Sequence, residues 1–344
     1  MCNIIVGDWK LKILVIGLGS MGKRRIRNLK ALNEDDVIAF DPREDRRKEV
    51  AQKFNINTFS SFEDAMNEKP EVFVISVPPD IHIKYQSYAV KNDIHFFTEA
   101  SVVSDGLEKV IEELKNKNII GAASSTLRFH PAVKKIKQLI DDKEIGELCT
   151  FTYHSGQYLP DWHPWENIND FYVSKKETGG GREIVPFELS WISWIFGNVK
   201  SVIGLVENSL DMGESIDDVY HSLLKFESGI NGHLLVDVVS RFAYRQMKIL
   251  GKKGVIEWDW SKQRVRVFKP EKNEWMGFNV GGGTNEAGYN ENIIEEMYIN
   301  EIRHFLNSIR KKEEYHYSLE DDLAILNILY AIEKSSRNGR VEKI

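Results

Sequence analysis

The chain has 344 residues, 42% of them hydrophobic and 28% charged, with 46 Lys and Arg against 52 Asp and Glu for a net charge of -6. This length suits about two folded domains and excludes a single small module or a disordered chain. The acidic balance gives no pull toward phosphate polymers or anionic lipid, so neither nucleic acid nor a membrane is an expected partner. Residues 1–10 read as a frayed extension, because Asp8, Lys10 and Lys12 interrupt the apolar start that an export signal needs. Short apolar runs at 13–16, 37–40, 72–77, 94–97 and 119–123 alternate with helical spacing at 21–32, 43–54, 81–92 and 105–117. That alternation predicts a doubly wound parallel sheet covered on both faces. A helix at 131–142 follows, then closely spaced strands at 148–153, 202–206, 219–226, 232–236, 246–250, 255–258 and 264–268, which predict a mainly antiparallel sheet. Glycines 281–283 with Thr284 and Asn285 read as a mobile loop, and helices at 291–310 and 319–337 close the chain around the polar stretch 311–317.

The run 13–16 leads directly into Gly17-Leu-Gly19-Ser20-Met21-Gly22 and then a basic helical stretch. Gly17 permits a tight turn, Gly19 lets backbone approach a pyrophosphate, and Gly22 lets helix pack closely on strand. Free N–H groups at the helix start attract phosphate. The next strand ends in Asp41, nineteen residues after Gly22, where a carboxylate can accept both adenosine ribose hydroxyls. This favours NAD over NADP, although Arg43 offers a partner for a 2′-phosphate. The fold class is therefore α/β, with an N-terminal Rossmann sheet and a C-terminal α+β domain carrying a large, mainly antiparallel open sheet. The expected domains are 11–125 for the dinucleotide, 126–318 for an α+β domain and 319–344 for a closing helix and tail; the family resemblance of the motifs below implies substrate and oligomer contacts for 126–318 and packing of 319–344 back on the Rossmann domain. An open sheet face needs covering, so a homodimer or homotetramer is expected.

Further along stand Ser76-Val77-Pro78-Pro-Asp-Ile-His82, Phe97-Thr-Glu99-Ala100-Ser101, Arg128-Phe-His-Pro131, Gln157-Tyr-Leu-Pro-Asp-Trp162 and Gly179-Gly-Gly181. This series resembles the glucose-fructose oxidoreductase, inositol dehydrogenase and rhizopine-catabolism (Gfo/Idh/MocA) family of dinucleotide-dependent sugar oxidoreductases, over about residues 12–344. The resemblance implies that the segment from Ser76 to His82 lies under the nicotinamide and its ribose, and that Glu99 also faces the cofactor. The residues expected on the cofactor are thus Gly17, Gly19, Ser20, Met21, Gly22, Asp41, Arg43, Ser76, Val77, Pro78, His82, Glu99 and Arg128. Two departures stand out. The family lysine after Glu99 is replaced by Ala100, and the family histidine falls on Phe187 or on Glu188, according to how the glycines are aligned.

Removing hydride from a secondary alcohol requires a group that takes the hydroxyl proton, which phenylalanine cannot do. Glu183, Glu188 and His163 are the candidates for that task, with Glu183 at the position of the family acid and Glu188 opening an apolar helix over 187–196. His154, Tyr158, Trp162 and Lys175 are expected on the substrate, since aromatic faces stack on sugar C–H surfaces and polar tips bind hydroxyls. Trp165 and Glu166 belong to the same stretch. The histidines lack metal-ligand spacing, so no metal is assigned. The two cysteines, Cys2 and Cys149, exclude a disulfide framework and suit a reducing, cytoplasmic setting. The leading expectation is an NAD-dependent oxidoreductase acting on a sugar, a nucleotide-linked or amino sugar included. One alternative is a sensor or regulatory subunit that binds dinucleotide and sugar with little turnover. Another is an enzyme retaining NAD for transient oxidation during elimination or glycosidic cleavage.

Overall fold

The computed structural model describes residues 10–162, 172–210, 216–281 and 294–344. It divides into two compact units, the first comprising residues 1–99, 105–124 and 298–320 and the second residues 100–104, 125–297 and 321–344.

In the first unit, strands β1 (Ile13–Ile16), β2 (Val37–Phe40), β3 (Thr58–Phe59), β4 (Val72–Ile75), β5 (His95–Thr98) and β6 (Gly121–Ala123) form one sheet in the order β3-β2-β1-β4-β5-β6. Every pairing is parallel. All residues of β1, β2 and β4 are buried, as expected for strands covered on both faces. The crossovers carry helices α1 (Ser20–Ala31), α2 (Glu44–Phe54), α3 (Phe62–Asn67), α4 (His82–Lys91) and α5 (Leu107–Leu114). Local chemistry sets their ends: the Ser61 hydroxyl accepts from Asp64 N and caps α3, while Asn55 takes a left-handed conformation after α2. Strand order reverses between β1 and β4, and this switch point is where an open α/β sheet leaves a crevice at its carboxyl edge.

In the second unit, α6 (Pro131–Asp141) precedes strands β7 (Leu148–Tyr158), β8 (Val199–Glu207), β9 (Val219–Phe226), β10 (Asn231–Asp237), β11 (Val239–Gly251), β12 (Gly254–Asp259), β13 (Arg264–Lys269) and β14 (Glu274–Asn279), with α7 (Gly181–Phe196) between β7 and β8. The sheet order is β14-β13-β12-β11-β7-β10-β9-β8-β15, where β15 is Glu342–Lys343. Within this sheet only β7 and β10 pair in parallel among the described strands. Alternation is clear on β9, where Tyr220, Ser222, Leu224 and Phe226 are buried while Leu223 is 53% exposed. The inner face packs on α7 through Phe151 stacked on Phe196 and Tyr153 set edge-on to Trp191.

The two closing helices pack on different sheets. Helix α8 (Glu295–Ile309), assigned by sequence to the 126–318 domain, contributes Ile302, Phe305 and Leu306 to the core of the first unit, beside Ile13, Val15, Ile26 and Leu29. Its apolar stripe finds the parallel sheet although its sequence neighbours belong to the other unit. Helix α9 (Leu319–Asn338) and the tail hold to β8: Gly204 N and Val206 N donate to Ser335 Oγ and Ser336 Oγ at 3.0 and 2.9 Å, and β15 pairs with β8. A Cβ on Gly204 would lie 2.3 Å from the Ile332 carbonyl oxygen, so glycine permits this approach. None of the described helices is long and apolar enough to cross a membrane.

Candidate functional site

The glycine turn of the first unit is built for close packing around open space. Gly17 has φ +90°, and a Cβ there would meet the Ser76 carbonyl oxygen at 2.5 Å; one on Gly22 would meet the Gly17 carbonyl oxygen at 1.8 Å. At Gly19 the nearest atom to such a Cβ is Arg46 Nη1, 3.7 Å away, so the side-chain-free surface there faces a cradle rather than a neighbour. Gly19 caps α1 without a side-chain hydrogen bond, and the first turn carries no acid. A helix start of this kind accepts a pyrophosphate.

Asp41, at the carboxyl end of β2 and 2% exposed, is fixed by main-chain donors: Leu18 N lies 2.7 Å from Oδ2 and Arg43 N 2.8 Å from Oδ1. An ionised carboxylate keeps further lone pairs for two ribose hydroxyls. The Arg43 guanidinium, read from sequence as a partner for a 2′-phosphate, pairs with Asp45 at 2.6 Å. The arginine beside Asp41 is Arg46, with Nη1 3.7 Å from Oδ2. Arg43 precedes α2, whereas Arg46 sits within its first turn, which brings its side chain back over the phosphate loop.

Ser76, Val77 and Pro78 follow β4 at the switch point and are half-buried. His82, expected on the cofactor, is 3% exposed instead and turns inward to donate from Nε2 to the Val77 carbonyl at 2.8 Å. Burial lowers it to about 4, so it is neutral and braces the 76–78 loop from beneath. Glu99 forms a two-pronged ion pair with Arg25 of α1, Nε to Oε1 at 2.6 Å and Nη2 to Oε2 at 2.8 Å, and accepts from Ser76 Oγ at 3.2 Å. Arg25 Nη2 also reaches Glu301 Oε2 of α8 at 2.9 Å, and Ser124 Oγ donates to Glu301 Oε1 at 3.0 Å. The Arg25 and Glu301 side chains are wholly buried, and that of Glu99 is 13% exposed. Burial opposes the charge of Arg25, but Glu99 and then Glu301 outweigh it and raise its pKa.

In the second unit the two candidate glutamates separate cleanly. Glu188 is 0% exposed and its oxygens are occupied: Oε1 accepts from Ser155 Oγ and Arg245 Nε, both at 2.9 Å, while Oε2 accepts from Tyr153 OH at 2.7 Å and Trp191 Nε1 at 2.8 Å. With four donors and no exposed surface it cannot serve as the proton acceptor. It also does not open the helix, because α7 begins at Gly181 and runs through Pro186. Glu183 lies in the first turn of α7. Its Oε1 accepts from Tyr172 OH at 2.8 Å, and its buried Oε2 has no partner among the described residues. Burial pushes this carboxyl up to about 7, against the opposing hydrogen bond from Tyr172.

His154 does not join these glutamates. Tyr153 and Ser155 point inward to Glu188, so the intervening His154 faces the outer side of the sheet, where Asp237 Oδ2 lies 2.6 Å from Nε2 and Tyr244 OH 2.8 Å from Nδ1. It lines a cavity of about 460 Å³ with His233, Leu235, Gln246 and Lys248. Burial favours a neutral Asp237, but hydrogen bonds from His154 and Ser240 hold it below the usual carboxylate range. Tyr158 lies beneath the Arg241 guanidinium, 3.8 Å from its ring centroid. Trp162 is half-buried, its Nε1 without a partner among the described residues, and Lys175 is exposed. Arg128, expected on the cofactor, turns Nε and Nη2 onto the Ser190 carbonyl at 3.2 and 3.0 Å, fastening its loop to α7. His163, Trp165 and Glu166 lie outside the described residues.

Sequence reasoning missed Arg25, Glu301, Tyr172 and Arg46. Arg25 carried a usable signal: it stands three residues after Gly22 and four before Leu29, on the stripe α1 buries. One further cluster joins His304, Glu313 and His316 in the first unit, with candidate ligand atoms within 4.8 Å of one another. Both ring nitrogens of His304 are already engaged, Nδ1 by Glu313 Oε2 and Nε2 by the main-chain N–H of His316, each at 3.1 Å.

Residues 11–123 match the model of an oxidoreductase family with an NAD-binding Rossmann fold, and residues 133–257 match the GFO/IDH/MocA C-terminal domain. A myo-inositol 2-dehydrogenase from Thermotoga maritima is 24% identical over 351 aligned residues, covering 97% of this chain and 98% of that one. Among solved structures, an oxidoreductase from Agrobacterium radiobacter in complex with NAD+, L-tartaric acid and magnesium superposes with a TM-score of 0.87 at 16% identity, over 97% of this chain and 98% of that one. A levoglucosan dehydrogenase in complex with NADH and levoglucosan gives 0.84 at 18%, over 97% and 99%. These two likenesses establish the fold.

Proposed function

The chain belongs to the GFO/IDH/MocA oxidoreductase family, and from that premise we propose that it is an NAD-dependent dehydrogenase of a sugar, with nucleotide-linked and amino sugars among the substrates to try. When bound, the nicotinamide supplies the hydride acceptor or donor for a ring carbon. The main-chain amides at the start of α1 hold the pyrophosphate, Asp41 accepts the ribose hydroxyls, and Ser76, Val77 and Pro78 form the floor under the nicotinamide. Glu183 takes the hydroxyl proton during oxidation and returns it during reduction, and Tyr172 keeps its carboxylate oriented. The observation that carries this assignment is a buried carboxyl held near 7 with one oxygen free of partners among the described residues. Trp162 and Lys175 are assigned to the sugar on the same reading. The exposed Ile203, Leu205 and Leu223 on the outer sheet face support a homodimer or homotetramer formed there. The test is incubation with NAD+ and a panel of cyclitols, sugars and nucleotide sugars. The expected result is NADH absorbance with at least one of them; none in either direction overturns the reading.

Phe187 in α7 and Ala100 after Glu99 favour a second reading, a chain that binds dinucleotide and sugar without turnover. It predicts calorimetric binding of NAD+ together with no NADH formation on any substrate.

A further inference from the structure

We propose that Arg182 is a positioning residue for the proton acceptor: it anchors the turn that carries Tyr172 and so keeps the Tyr172 hydroxyl on Glu183. The proposal rests on the reading above, in which Glu183 takes the hydroxyl proton. Arg182 lies in the first turn of α7, one residue before Glu183, yet its buried guanidinium is committed elsewhere. Nε lies 2.6 Å from Glu333 Oε1 of α9, and Nη1 donates to the Val102 carbonyl at 2.7 Å and to the Glu177 carbonyl. Glu333 Oε1 also accepts from Tyr220 OH at 3.4 Å, which helps fix the carboxylate that holds the arginine. The Glu177 carbonyl belongs to a short piece of chain dense in hydrogen bonds. The Tyr172 carbonyl accepts from Thr178 Oγ1 at 2.8 Å and from Lys175 N at 3.2 Å, and Gly179 N donates to the Lys175 carbonyl at 2.8 Å. Gly180 N closes the piece onto the Val173 carbonyl at 3.2 Å, and a Cβ on Gly179 would lie 1.8 Å from that same oxygen. A turn bonded in this way moves as a unit, so what holds Glu177 also holds Tyr172. Its tip, Lys175, Lys176 and Glu177, is exposed, and Arg182 grips it where packing gives little support. Among the described residues Tyr172 is the titratable group in contact with Glu183, and its hydrogen bond opposes the burial that raises this carboxyl to about 7. Without that bond the carboxyl stays protonated through neutral pH and accepts no proton there.

The test follows Glu183 itself, by carbon-13 NMR of the glutamate side-chain carboxyls of the full chain across pH, its resonance identified by its loss in Glu183→Gln. This readout needs neither substrate nor turnover. The main variant combines Arg182→Met with Glu333→Gln, which removes the fork, leaves no carboxylate stranded and keeps the net charge. It is expected to raise the midpoint of the Glu183 titration by about one pH unit or more, the effect of losing a hydrogen bond to a charged group. Combined with Tyr172→Phe, the same two changes are expected to move the midpoint by less than about 0.3, because no hydroxyl remains to be displaced. An unmoved midpoint in the first comparison overturns the proposal. So does an equal rise in the second, which would mean that the pair acts on Glu183 through charge or general loosening. Should the main variant not fold, Arg182→Lys decides by the same titration: it keeps a charge beside Glu333 without the fork that reaches both carbonyls, a rise is expected, and a midpoint equal to that of the wild type overturns the proposal. Absence of NADH formation by the wild-type chain overturns the reading above, and the titration is independent of that result.

Discussion

Replacing Glu183 by glutamine exposes the carboxyl whose burial raises it from an ordinary 4.5 to about 7. Between those two values the folded chain holds a proton that the unfolded chain has released. The folded state is therefore favoured at low pH, and that stabilisation is lost as pH rises through the folded value. The shift corresponds to about 3 kcal/mol between pH below 4.5 and pH above 7. Glutamine does not titrate, so Glu183→Gln matches the wild type near pH 3.5 and exceeds it by about 3 kcal/mol at pH 8.5. For a unit of this size that difference is about 6–12 °C in melting temperature. Differential scanning calorimetry of both chains across this range is the assay. Parallel melting profiles would mean that Glu183 is ionised throughout, and its assignment as a proton acceptor tuned near neutrality would fall. In the same variant kcat/KM for oxidation should drop about 10²- to 10⁴-fold and lose its rise through pH 7.

Three other substitutions test separate parts of the account. Glu188→Ala strands Arg245, Tyr153, Ser155 and Trp191 around a missing partner and should cost about 3–5 kcal/mol in urea unfolding; a loss near zero would show that the network is not a structural anchor. Gly22→Ala drives a Cβ to 1.8 Å from the Gly17 carbonyl oxygen, so NAD+ binding by calorimetry should weaken by at least about tenfold through displacement of the phosphate turn, and unaltered affinity would contradict the packing argument. Asp41→Ala removes the ribose acceptor and the partner of Leu18 N, and should weaken NAD+ about 10- to 100-fold in the same assay.

The Rossmann half is written plainly in the sequence because its strands are uninterrupted apolar runs and its turn needs particular glycines. The second sheet was harder. Its strand positions could be found from alternation, but the side each residue faces could not be used until register was known. His154 was expected on the substrate, yet Tyr153 and Ser155 take the inner face beside Glu188 and leave His154 on the other side. Glu188 read as a helix-opening charge because the apolar run begins at Phe187; in the fold α7 begins at Gly181, Pro186 sits inside it and Glu188 is in its buried interior. The two-residue β3 is too short to register as a strand, and in β14 Gly277 and the adjacency of Trp275 and Met276 break the alternation that marks one. Glu301 and Arg25 are charged residues that sequence logic sends to the surface, and their pairing with each other, of Arg25 with Glu99 and of Glu301 with Ser124 offsets the cost of burial. Nothing in the α8 stripe of Ile302, Phe305 and Leu306 says in sequence which sheet it will cover; the fold sets it beside Ile13 and Val15.

Everything proposed for the site requires that the first unit hold NAD at the carboxyl edge of β1, β2 and β4. Calorimetric titration of the intact wild-type chain with NAD+ tests it most directly. The account predicts saturable binding of one nucleotide per chain, with a dissociation constant in the micromolar range, roughly -8 kcal/mol. No saturable heat up to millimolar NAD+ would contradict it.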